Sequence, residues 1–218
     1  MVKKIISPNY QKAQDTAYRL LKGYSLLADT AFPVDPILFI KQTKNLALDT
    51  YSRIATCVNC SVDDIRRITG SDDGTSFFNV KKEKYIIAYN DTVQTESRKR
   101  FTIAHELGHI YLGHLLGNDI SDDIYNLQEK EANYFAKRFL VPLPFFTRLL
   151  EKTTLESLSV SDISFIFNVS FDVAKYSINN YNKLPFSPRD DRFCEPYNTE
   201  LDRRLSIIQM AHRMATTA

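Results

Sequence analysis

Arg98-Lys99-Arg100-Phe101-Thr102-Ile103-Ala104-His105-Glu106-Leu107-Gly108-His109 is the segment around which this chain is organised. On an α-helix, residues four apart lie about 40° apart around the axis, so His105 and His109 share one face. Ile103, Leu107, Ile110 and Tyr111 fall on the opposite side. The segment therefore predicts an amphipathic helix whose one polar stripe carries two imidazoles and the Glu106 carboxylate. An H-E-x-x-H in that setting lets two histidine nitrogens share one Zn²⁺ at about 2.0 to 2.1 Å, with the glutamate turned to an open coordination position.

A catalytic zinc keeps three protein ligands, so a third must be found. The longer pattern H-E-x-x-H-x-x-G-x-x-H does not supply it, because Leu112 and Leu115 stand where its glycine and last histidine belong. Gly113 and His114 are one residue out of register, about 100° on a helix, and His114 is read as a helix-end or packing histidine. Downstream, Gln128-Glu129-Lys130-Glu131-Ala132-Asn133-Tyr134-Phe135-Ala136 predicts a second helix buried through Ala132, Phe135, Ala136 and Phe139. Glu129 lies close to that buried face, whereas Glu131 lies around toward solvent and is read as an exposed charge. The expected ligands are thus His105, His109 and Glu129, with Asn133 placed one turn on to hydrogen-bond a ligating histidine.

This donor set implies hydrolysis. A zinc so held lowers the pKa of water to about 7, and Glu106 is the expected general base, later passing the proton to a leaving amine. Tyr111, Tyr134, Tyr176 and Arg100 remain open as oxyanion stabilisers. The strand expected over residues 84–90 would accept an extended peptide if it lies at a sheet edge, an expectation that fails if the strand is paired on both sides.

Periodicity fills in the rest. Ala13, Ala17, Leu20, Leu21, Tyr24 and Leu27 predict a first amphipathic helix. Asp35-Pro36 reads as an N-cap with Pro at the first helical position, opening a helix to about Asn45. Ser61 starts a third, short helix. Residues 76–80 and 84–90 predict a hairpin joined by Lys81-Lys82-Glu83, and residues 46–54 a third strand. Thr153 to Glu156 has capping-box spacing, and Ser170 caps a helix running to about Tyr181. Residues 184–199, with three prolines, read as a linker or extended tail, and a last helix is expected over 200–214. The pattern is α+β, with a catalytic domain over 1–184 and a C-terminal extension over 185–218.

Composition narrows the function classes. A formal net charge of +2, dispersed along the chain, gives no electrostatic case for a nucleic-acid or membrane partner. No apolar run approaches the ~18 to 20 residues of a membrane span, the longest being broken by Pro142 and Pro144. No signal-peptide pattern is visible, so a cytoplasmic location is expected. Three cysteines give no disulfide framework, and Cys57 and Cys60 lack the second pair of a structural zinc site.

The chain resembles the ImmA/IrrE-type metallopeptidases. The resemblance rests on the R-x-R-F-T-x-A-H-E-L-G-H string of Arg98 to His109, on Glu129 to Ala136, and on Phe139-Leu140-Val141-Pro142. It implies a small, mostly helical zincin-like (gluzincin-type) core with an antiparallel sheet of about three strands. It also implies zinc ligands at His105, His109 and Glu129, a catalytic Glu106, a place in a mobile element or stress regulon, and cleavage of a helix-turn-helix transcriptional repressor. Gly113-His114 and the residues after Leu184 lie outside the shared pattern. The competing reading is a DNA-binding or scaffold regulator with a structural metal site. It rests on the helix-turn-helix cadence of residues 160–181, whose second helix offers only Lys175, Asn179 and Asn180 to bases. Direct nucleic-acid binding is not expected.

Overall fold

The computed structural model describes residues 7–24, 31–93, 95–116, 121–181 and 191–216. The chain divides into two units, one of Met1–Leu20 with Pro36–Phe139 and one of Leu21–Asp35 with Leu140–Ala218.

The first unit is built on a three-stranded sheet in the order β1-β3-β2, with β1 at Leu46–Thr50, β2 at Gly74–Asn79 and β3 at Lys84–Tyr89. β2 and β3 form the expected antiparallel hairpin, with Ser76 opposite Ile87. β1 runs parallel to β3, so the sheet is mixed rather than antiparallel. Parallel pairing needs a crossover, and helices α3 (Tyr51–Val58) and α4 (Val62–Thr69) supply it. The expected strand over 46–54 ends early for the same reason. The Thr50 side chain accepts the Arg53 N–H and caps α3, turning the chain into helix at Tyr51. Ser61 caps α4 through a reciprocal pair with Asp64, as its spacing predicts. Ala88 of β3 packs with Tyr51, Ala55 and Ile65 on this side of the sheet.

The other face meets α5 (Glu96–Leu112), the histidine helix, along which Ile103, Ala104 and Leu107 are fully buried. Around it stand α1 (Tyr10–Tyr24), α2 (Pro36–Gln42) and α6 (Asp122–Leu140). In α1, Ala13, Ala17, Leu21 and Tyr24 are buried, as the periodicity predicts; Leu27 lies outside the described residues.

The second unit carries α7 (Leu143–Leu150), α8 (Val160–Phe167), α9 (Phe171–Tyr181), α10 (Asp191–Cys194) and α11 (Asn198–Thr216). Its centre is aromatic: Phe145 stacks on Phe193 with ring centroids 4.8 Å apart and meets Tyr197 at 5.0 Å. The linker expected over 184–199 is therefore helical over 191–197, because Phe193, Cys194 and Tyr197 are buried in that cluster. Residues 184–190 of that expectation lie outside the described residues. Residues 154–157 form a 3₁₀ turn capped by Thr154 and Ser157 rather than a helix opened by Thr153 and Glu156.

Candidate metal centre

α5 and α6 approach closely because Gly108 has no side chain. A Cβ there would come 3.1 Å from the Ala132 Cα and 3.3 Å from its carbonyl oxygen. That proximity brings Glu129, just under one turn before Ala132, over the two histidines of α5.

Three donors converge. The Nε2 atoms of His105 and His109 are 3.0 Å apart, Glu129 Oε2 is 3.4 Å from His105 Nε2, and Glu129 Oε1 is 3.1 Å from His109 Nε2. Among the described residues this is the group of acidic and nitrogen donors close enough to hold one ion, with ligand atoms all within 4.8 Å of one another. Tetrahedral bonds of 2.0 to 2.2 Å require ligand atoms about 3.3 to 3.6 Å apart. The spacings here are within a few tenths of an ångström of that, and two imidazoles with one carboxylate suit zinc.

Electrostatics point the same way. Burial works against protonating His105, but its hydrogen bond to Glu129 and the charges of Glu106 and Glu129 outweigh it and raise its pKa. Glu129 is held well below the usual carboxylate range by hydrogen bonds to His105 and His109. A cation is the natural occupant between these groups, and its binding would displace the protons.

Glu106, one residue from His105, is buried and stands apart from the three donors. Its Oε2 accepts a 2.6 Å hydrogen bond from the Ser76 hydroxyl on β2. β2 can come this close because Gly74 is bare: a Cβ there would sit 2.5 Å from Thr102 Cγ2 and 3.7 Å from Glu106 Cγ. Ser76 is invisible to motif reading, since only the register of β2 against α5 gives it a role.

The end of α5 bears on two of the expected residues, His114 and Glu131. The helix stops at Leu112, and Gly113, at φ 82°, takes the left-handed conformation that turns the chain back. His114, a helix-end histidine as read from the sequence, is thereby swung onto His109, with Nδ1 3.1 Å from His109 Nδ1. Its other nitrogen lies 3.0 Å from Glu131 Oε2. Glu131 is thus a partner, not an exposed charge, and its Oε1 accepts the Asn9 backbone N–H at 2.6 Å. Burial pushes the His114 pKa down. Asn133 bears on His105, favouring its protonated form, while the buried His105 Nδ1 has no partner in full hydrogen-bond geometry.

Of the four oxyanion candidates, Tyr134 donates to Gln14 and Tyr111 packs edge-on against Phe39; Arg100 is buried, and Tyr176 belongs to the second unit. A fifth, Tyr125, was missed. It sits one turn before Glu129 and is about half exposed; burial and the nearby Glu129 and Glu106 charges raise its pKa. β3 is paired on both sides, which removes it as a peptide-binding edge and leaves β2 in the outer position. The three cysteines are free thiols.

A mixed sheet backed by an H-E-x-x-H helix, with a glutamate arriving from a second helix, defines a metallopeptidase-type centre. The chain belongs to the IrrE N-terminal-like domain family, a peptidase family whose pattern matches residues 64–179. It is similar to the radiation response metalloprotease IrrE of Deinococcus radiodurans, at 29% identity over 112 residues. That match covers 47% of this chain and 33% of that protein, so the chain spans about a third of the relative's length. No helix among the described residues is long and apolar enough to cross a membrane.

Proposed function

We propose that this chain is a zinc-dependent endopeptidase acting in the cytoplasm on a protein substrate, a helix-turn-helix transcriptional repressor. The observation that carries the reading is the convergence of His105, His109 and Glu129 beside the separate, buried carboxylate of Glu106. His105, His109 and Glu129 would hold the zinc, which when bound supplies Lewis acidity toward water and the scissile carbonyl.

The chain's own residues carry the proton and place the peptide. Ser76 occupies Glu106 Oε2 and fixes the carboxylate, leaving Oε1 to take the proton of the attacking water. The same carboxylate then delivers that proton to the leaving amine. Tyr125, beside Glu129, is placed to donate to the carbonyl oxygen as negative charge develops on it. An extended substrate segment adds to the outer edge of β2, which carries Ser76, by main-chain hydrogen bonds.

The test is co-expression with the helix-turn-helix repressor encoded nearest to this gene, followed by the same assay with purified proteins. Repressor fragments are expected with the wild-type chain and zinc, and none with Glu106→Gln or after chelation. Cleavage that persists in Glu106→Gln would overturn the mechanism. An intact repressor in the wild-type reaction would overturn the substrate assignment.

A further inference from the structure

The contacts behind His109 form a chain of three, each needing one proton: Asn9 N to Glu131 Oε1, Glu131 Oε2 to His114 Nε2, and His114 Nδ1 to His109 Nδ1. We propose that His114 is a positioning residue that, with Glu131 and the Asn9 backbone N–H, forms a buried relay fixing the His109 tautomer so that its Nε2 is bare toward the metal. The inference rests on the metal-site reading above and adds to it a role for residues outside the ligand set.

Counting protons gives the direction of each bond. The Asn9 amide only donates, so Glu131 Oε1 accepts. A carboxylate also accepts on its second oxygen, so the proton of that contact belongs to His114 Nε2. A neutral imidazole carries one N–H, which leaves His114 Nδ1 as an acceptor. His109 Nδ1 must then donate, which leaves His109 Nε2 to face the space between His105 Nε2 and Glu129, where a cation would take the place of the proton that the 3.1 Å contact with Glu129 Oε1 needs in its absence. With both rings neutral and Glu131 ionised, this is the assignment that satisfies all three contacts.

The relay is built by the fold. His114 follows His109 by five residues, about 140° around a continuous helix, and the left-handed Gly113 alone brings its ring back. The far end is anchored where α1 begins. Lys12 donates to the Leu112 carbonyl at 2.8 Å, and Tyr10 packs on Tyr134 of α6.

Two measurements test this. In nitrogen-15 NMR of the zinc-loaded wild-type chain, the His109 Nδ1 proton is expected to be hydrogen-bonded to His114 and protected from solvent exchange; a freely exchanging Nδ1 proton overturns the relay. In zinc titrations against a competing chelator, His114→Phe is expected to bind about 10- to 100-fold more weakly. His114→Asn, whose Oδ1 replaces Nδ1 as acceptor, should recover most of that loss. Unchanged zinc affinity in His114→Phe overturns the relay. Should that variant fail to fold, Glu131→Ala is expected to show the same weakening, and the exchange protection of the wild-type His109 Nδ1 proton still decides. A wild-type chain that binds no zinc overturns the metal-site reading itself, an outcome distinct from tight wild-type binding with His114→Phe at parity.

Discussion

The α5–α6 crossing of the first unit and the α7–α11 cluster of the second bury their helices by contrasting means. At the crossing, contact is thinned to a bare Gly108 and the space beside it is filled with imidazoles and carboxylates. In the second unit, Phe145, Phe193 and Tyr197 fill the interior with rings and ask nothing of one another but shape. The polar crossing is demanding, since each buried donor needs an acceptor and an unpaired one is costly. The aromatic cluster is tolerant of detail but carries much of its unit's burial energy. Substitutions should accordingly separate activity from stability according to the unit they fall in.

The largest effect is expected from Glu106→Gln, which keeps size and burial but removes the base. Loss of general-base function costs about 10²- to 10⁴-fold, so turnover should fall by at least that, with zinc content and melting temperature near wild type. Parallel loss of zinc would make Glu106 part of the ligand set and blur the contrast. Next comes Phe145→Ala in the second unit. Removing a fully buried ring typically costs about 3 to 5 kcal/mol, read as a drop in the denaturant midpoint. Zinc affinity should be unmoved, and a matching fall in affinity would break the separation of the two units.

Tyr125→Phe should act on chemistry alone. Loss of one donor to a developing oxyanion costs up to about 10²- to 10³-fold in kcat, and KM and stability should hold. An unchanged kcat would remove Tyr125 from the mechanism. Gly108→Ala is smaller in energy but tests the crossing directly. Alanine is the better helix former by up to ~1 kcal/mol, yet its methyl would press on the Ala132 backbone, which cannot swing aside. Overpacking of this kind costs about 1 to 3 kcal/mol, and zinc should bind more weakly as Glu129 is levered off the histidines. A stabilised variant with full zinc affinity would show that the helices have slack.

What the sequence conveys differs between the two regions for the same physical reason. The shared face of His105 and His109, and the nearness of Glu129 to the buried side of α6, follow from helical period alone, which is local. Ser76 and His114 depend on the register of β2 against α5 and on one left-handed residue, Gly113, so their roles emerge only with the tertiary structure. The early end of β1 was masked because Tyr51 and Ile54 suit a strand, whereas the Thr50 cap turns them into helix. In the second unit, the prolines near Phe193 suggested an extended tail, and burial of its aromatic side chains overrode that local preference. Buried aromatic contacts between distant segments leave no spacing to read.

Each unit also holds a carboxylate below its usual range, and the partners differ. Glu129 faces two histidines, whereas Glu200 on α11 is gripped by Arg203 through two 2.7 Å hydrogen bonds and by Arg204, guanidinium groups that stay charged at all accessible pH. The Arg203 hydrogen bonds hold the Glu200 pKa down to about 2, against 4.5 for a free glutamate. A depressed folded-state pKa means that the stabilisation is complete above the unfolded value and disappears as pH falls from about 4.5 through 2. The cluster faces solvent, so screening keeps its contribution small. Glu200→Gln should therefore lower stability slightly at pH 7 in denaturant titrations, and the difference from wild type should vanish toward pH 2. A gap that persists at low pH would assign the effect of Glu200 to packing instead of charge.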